Sequence, residues 1–97
     1  MGMDLALTSE EELLIISDEP FPGDVVRVEF YTDTHLMIMF FTNDPNDEGM
    51  LLDREIPKDF IPHILSAATI YVAHYDEASG SDDPVSLFKV PLIRIGI

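Results

Sequence analysis

Apolar positions along this chain come in short runs, and the runs are separated by turns rich in proline, glycine and carboxylate. "VVRVEFYTD" (25–33) alternates. Val26, Val28 and Phe30 fall on one side and Arg27, Glu29 and Tyr31 on the other, the period of a strand with one wet face. "TDTH" (32–35) reads as a turn, and Leu36 to Thr42 as the returning strand of a hairpin. This second strand has no polar face. Leu36, Ile38 and Phe40 share one side, and Met37, Met39 and Phe41 the other. A strand apolar on both faces is either central and covered twice or lies at a subunit interface.

"SEEELLIISDEP" (9–20) admits two readings. Thr8 or Ser9 followed by Glu11 or Glu12 resembles a helix capping box. Yet Leu13 to Ile16 would cover most of the circumference of a short helix, so a strand over 12–17 is expected. "PKDFIPHILSAA" (57–68) opens a helix, with Asp59 as its cap, Pro62 in the first turn and Phe60, Ile64, Leu65 and Ala68 as the buried stripe. Residues 69–75 admit two readings: Ala68, Tyr71, Val72 and Tyr75 continue the helical stripe, but the outer face of that longer helix would carry no charge before Glu77, and Thr, Ile, Tyr and Val prefer strands, so a strand is expected. "VSLFKVPLIRIGI" (85–97) is another. Phe88, Val90 and Leu92 share a face, whereas Ile93, Ile95 and Ile97 share the opposite one, so a β-bulge or an edge position is expected at Pro91. The order is three strands, a helix and two strands. That predicts a single α+β domain over 1–97, a mainly antiparallel sheet of about five strands with one short helix packed on a face.

Composition narrows the function classes. The 97 residues include no cysteine, which excludes disulfides, thiolate nucleophiles and cysteine-type zinc sites. No apolar run approaches the ~20 residues of a membrane span, and the N-terminus lacks a signal-peptide pattern. A cytoplasmic, soluble protein with no membrane partner is the expectation. Nineteen acidic side chains against five basic ones give a formal net charge of −14. Five basic residues are too few to track phosphates, so nucleic acid is excluded as a partner, whereas basic proteins are attracted. The acids concentrate in the turns "DEPFPGD" (18–24), "NDPNDEG" (43–49) and "DEASGSDDP" (76–84).

Two constellations carry candidate chemistry. "DPNDEGMLLDRE" (44–55) matches a twelve-residue calcium-loop template at Asp44, Asn46, Glu48, Gly49 and Glu55. Against it stand a strand rather than a helix before Asp44, an oxygen-free Leu52 at position 9, and Pro57 beyond. Asp44, Asn46, Glu48 and Glu55 therefore form a weak metal candidate, and no cofactor is expected. The three histidines, His35, His63 and His74, share no metal-ligand spacing. The pattern G-x-S-x-G, a P-loop and a dinucleotide fingerprint are all missing, and nothing separates an acid from a base among so many carboxylates. A non-catalytic interaction or structural module is the expectation. Its interface is Leu36, Met37, Ile38, Met39, Phe40, Phe41, Ile93 and Ile95, and its partner is a second copy of the chain. The alternative is an acidic nucleic-acid mimic that occupies the basic groove of a nucleic-acid-binding protein, as small phage-type inhibitors do.

Overall fold

The computed structural model describes residues 3–31, 37–46, 49–51, 56–76, 80 and 83–96, with the backbone alone for Met37, Met50 and Leu51. The strands are β1 Met3–Leu7, β2 Leu13–Ser17, β3 Val25–Tyr31, β4 Met37–Thr42, β5 Met50–Leu51, β6 Thr69–His74 and β7 Ser86–Ile95. A 3₁₀ turn, Lys58–Phe60, leads into the single α-helix among the described residues, α1 Ile61–Ser66. The strands form one mixed sheet in the order β1-β2-β6-β7-β3-β4-β5. Four neighbouring pairs are antiparallel, while β2–β6 and β3–β7 are parallel. This is the expected α+β class with a mainly antiparallel sheet and one short helix. The sheet is wider than expected because β1 and the two-residue β5 extend its ends.

β7 joins two wings. Its first half, Ser86 to Pro91, pairs with β6, and its second half, Leu92 to Ile95, pairs with β3. Pro91 sits at the hand-over. The amide of Leu92 donates to the Ala68 carbonyl, so by antiparallel alternation the nitrogen of Pro91 points away from β6. It points towards β3 before that pairing begins, and the missing N–H costs no ladder bond. The expected bulge at Pro91 is absent from both registers. The slip in pattern arises instead because the outward face of β7 carries Ile93 and Ile95.

One face of the sheet and α1 enclose the core. Leu13, Ile15, Val28, Phe30, Ile38, Phe40, Ile64, Ile70 and Val72 are essentially inaccessible, each adding roughly 1.5–3 kcal/mol by burial. Val26 does not join them. The register of β3 on β4 shifts between Val25 and Arg27, which makes Val26 the extra residue of a bulge. Val25 and Val28 then both turn inward and Val26 is exposed, correcting the strict alternation expected for this strand.

The helix also differs in detail. Asp59 makes no capping hydrogen bond, and no side chain caps the N-terminus of either helical segment. Pro62 lies in the first turn, as the spacing implies. Phe60, Ile61, Ile64 and Ala67 face the core, whereas Leu65 is 50% exposed and Ala68 is exposed. The C-terminal end is held from the sheet. Arg94 of β7 donates to the carbonyls of Ile64 (3.2 Å) and Ala67 (2.6 Å). A cation there suits the negative end of a helix.

The capping-box pattern is used in a turn. Thr8 Oγ1 accepts from the amides of Glu10 and Glu12 (3.3 and 3.1 Å). The Glu11 amide donates to the Thr8 carbonyl, and the Thr8 amide to that of Glu12. These bonds close a three-residue hairpin between β1 and β2, a turn whose bulge residue adopts left-handed geometry. Glu11 fills that position at φ 62°.

Candidate functional site

Strand directions bring the three acidic turns to one end of the sheet. β2, β4 and β6 finish at this end, and β3, β5 and β7 start there. Hydrogen bonds tie the loops together. The Asn43 amide donates to the Asp24 carbonyl, and the Asp24 amide to Asn43 Oδ1 (3.0 Å). The Tyr75 amide donates to the Ser17 carbonyl, and buried His74 donates from Nδ1 to the same oxygen at 3.2 Å. Phe21 anchors the crossing segment, edge-on to Phe40, His74 and Phe88 at centroid distances of 5.4, 6.3 and 6.2 Å. A Cβ at Gly23 would push aside the Asn43 amide oxygen, which accepts from the Asp24 amide. Among the described residues, Asp18, Glu19, Asp24, Asp44, Asp76 and Asp83 populate this end, and no lysine or arginine lies in any of the three turns.

The calcium-loop template resolves differently. Asp44 Oδ1 accepts from the Asn46 amide at 2.9 Å, and the Asp44 amide donates to Thr42 Oγ1. This is an Asx turn after a strand. Gly49 has φ +95°, and a Cβ there would lie 2.8 Å from Phe41 and 2.9 Å from Met39. Packing of the turn against β4 therefore explains this glycine. Glu48 and Glu55 lie outside the described residues. Among the described residues no cluster of three or more His, Asp or Glu is arranged to hold a metal ion.

The expected interface residues part company. Ile38 and Phe40 are 1% and 0% exposed and face the core. Met39, Phe41, Ile93 and Ile95 share the outward face of the β3–β4–β7 wing, Leu36 lies outside the described residues, and Met37 is described as backbone only. Gly49 lies against Met39 and Phe41, and the Arg27 guanidinium sits 4.1 Å from the Phe41 ring centroid. The bulge at Val26 puts Arg27 opposite Phe41. Arg27 Nε also donates to Glu29 Oε2 at 3.0 Å, and the Tyr31 hydroxyl donates to Glu29 Oε1. The tyrosine bond, more than the arginine, holds the Glu29 carboxyl below its ordinary range, and the same bond raises the Tyr31 phenol.

Two recesses lie among the described residues. One, of about 260 Å³, gathers Glu11, Glu12, His63, Ser66 and Thr69 between the β1–β2 turn and the end of α1. Serine, histidine and carboxylate meet here, which the linear spacing did not suggest. However, the Ser66 hydroxyl donates back to the helix carbonyls of Pro62 (3.0 Å) and His63 (3.3 Å). The other is an open groove of about 290 Å³ on the outward face of the β2–β6–β7 wing, lined by Leu14, Tyr71, Tyr75 and Leu87, with Glu10 and Glu12. Among the described residues no helix is long and apolar enough to cross a membrane. Comparison with known proteins finds no matching family, no similar curated protein and no similar solved structure.

Proposed function

We propose that this protein is a non-catalytic interaction module that docks its acidic loop end onto a basic protein surface, of the kind that otherwise holds nucleic-acid phosphates. The supporting observation is the convergence of three acidic turns, free of lysine and arginine, at one end of a single sheet. Clustered like charge raises the local potential and steers a cationic partner. Phe21 and the Asn43–Asp24 hydrogen bonds hold this end together in advance, which lowers the ordering cost of docking. The test compares proteins captured from a lysate by three immobilised forms. One is wild type. The second carries Asp18→Asn, Glu19→Gln, Asp24→Asn, Asp44→Asn, Asp76→Asn and Asp83→Asn. The third carries Asp4→Asn, Glu11→Gln and Asp59→Asn. Basic proteins should be lost from the second form and kept by the third; equal losses would refute the reading.

A second reading is self-association through the outward face of the β3–β4–β7 wing. Here, among the described residues, Arg27, Tyr31, Met39, Phe41, Ile93 and Ile95 surround one carboxylate, Glu29, which Arg27 neutralises. Ile93 is 41% exposed. A two-fold arrangement would set Arg27 of each copy near Glu29 of the other. The two readings differ in the sign of their salt dependence. Salt screens the repulsion between two chains of charge −14 and strengthens self-association, while it weakens docking on a basic partner. Light scattering that gives a monomer at high micromolar concentration in both low and high salt would remove the second reading.

A further inference from the structure

We propose that the outward groove of the β2–β6–β7 wing is a separate docking site, for an extended partner segment that presents a lysine side chain beside an apolar residue. The groove is lined by Leu14 and Leu87, two tyrosines, Tyr71 and Tyr75, and the carboxylates Glu10 and Glu12, with Thr8 and Ser9 beside them. Apolar side chains next to acids and aromatic rings match an alkyl stem that ends in an ammonium group. The chain supplies its own example of that occupant. Lys89 of β7 extends over the Tyr71 ring, with Nζ 5.4 Å from the centroid and 3.8 Å from Glu12 Oε2. Tyr75 offers a second ring in the same groove. The groove is open and, at about 290 Å³, lies at the small end of ligand sites, so it takes one or two side chains of an extended segment.

Lys89 is then an internal competitor. Its side chain is 52% exposed and that of Glu12 37%, so the contact is loose and readily displaced. Removing Lys89 should strengthen binding, the opposite of what loss of a contact residue does. The carboxylates of this groove, Glu10 and Glu12, are not those of the acidic loop end, and Tyr75 borders both.

The test is an amide chemical-shift titration of the full chain. One peptide is acetyl-Gly-Ser-Leu-Lys-Leu-Ser-Gly-amide, and the other has glutamine in place of lysine. The lysine peptide should shift Leu14, Tyr71, Tyr75 and Leu87, and the glutamine peptide should bind about tenfold more weakly. Lys89→Thr should tighten binding about three- to fivefold by freeing the site. Lys58→Thr makes the same charge change on an exposed turn and should alter affinity by less than about twofold. Tyr75→Ser, just beyond the end of β6, should weaken binding about tenfold and stands in if Lys89→Thr perturbs the fold. Shifts confined to the acidic loops, equal binding of the two peptides, or equal effects of Lys89→Thr and Lys58→Thr would overturn the proposal.

Discussion

Replacing Glu11 by glycine should stabilise the protein. Glu11 sits at φ 62° in the β1–β2 turn, and its amide is committed to the Thr8 carbonyl. A residue with a Cβ loses about 1–2 kcal/mol in this conformation, and glycine relieves that cost. The greater freedom of glycine in the unfolded chain returns about 0.5–1 kcal/mol. The net gain is about 0.5–1 kcal/mol, or roughly 2–8 °C in Tm for a domain of this size. Thermal melts and urea unfolding at pH 7 read the effect. Glu11→Ala is the control, because it removes the same charge from the Glu10–Glu11–Glu12 run but keeps a Cβ at positive φ. It should melt within about 2 °C of wild type. If alanine stabilises as much as glycine, charge relief is the cause and the strain reasoning is wrong. A fall in Tm for Glu11→Gly would refute it outright.

Arg94→Met should cost about 1–2 kcal/mol, since two carbonyls at the end of α1 lose a charged donor; a lower urea midpoint at unchanged slope is the expected readout. Gly49→Ala should cost about 2–4 kcal/mol, combining a left-handed backbone with contact against Phe41 and Met39. The Glu29–Tyr31 bond gives stability two pH limbs. Glu29 is depressed in the folded state, so its contribution is complete above the ordinary value of 4.5 and is lost as pH falls through the lowered one. Tyr31 is raised, so its contribution is complete below 10.0 and is lost as pH rises through the raised value. Tyr31→Phe should flatten both limbs when unfolding is followed from pH 3 to 5 and from pH 9 to 11.5.

Apolar runs of strand length were legible. β2 and β4 follow from such runs, β6 from its β-branched and aromatic residues against a helical alternative, the body of β7 from its alternation, and Pro62 marked the helix start. Features set by partners elsewhere in the sheet were not. Met3–Leu7 was missed as a strand because it is short and lies at the sheet end, with only β2 beside it. Val26 looked inward until the bulge opposite Phe41 took it out of phase. Leu65 looked buried, yet α1 turns Phe60, Ile61 and Ile64 inward, with Arg94 holding its end. The acidic turns were visible as composition, but their meeting at one end depends on strand order and on the parallel β2–β6 and β3–β7 pairs. No local pattern encodes those pairings. The Tyr71–Lys89 contact likewise needs the β6–β7 register, which sets these residues opposite each other.

The salt dependence of the complex with a captured basic partner tests the central claim most directly. Affinity measured by titration calorimetry from 50 to 500 mM salt should fall steeply for wild type. The slope should flatten when Asp18, Glu19, Asp24, Asp44, Asp76 and Asp83 are amidated. Binding that ignores salt, or a slope unchanged by those six substitutions, would contradict docking through the acidic end.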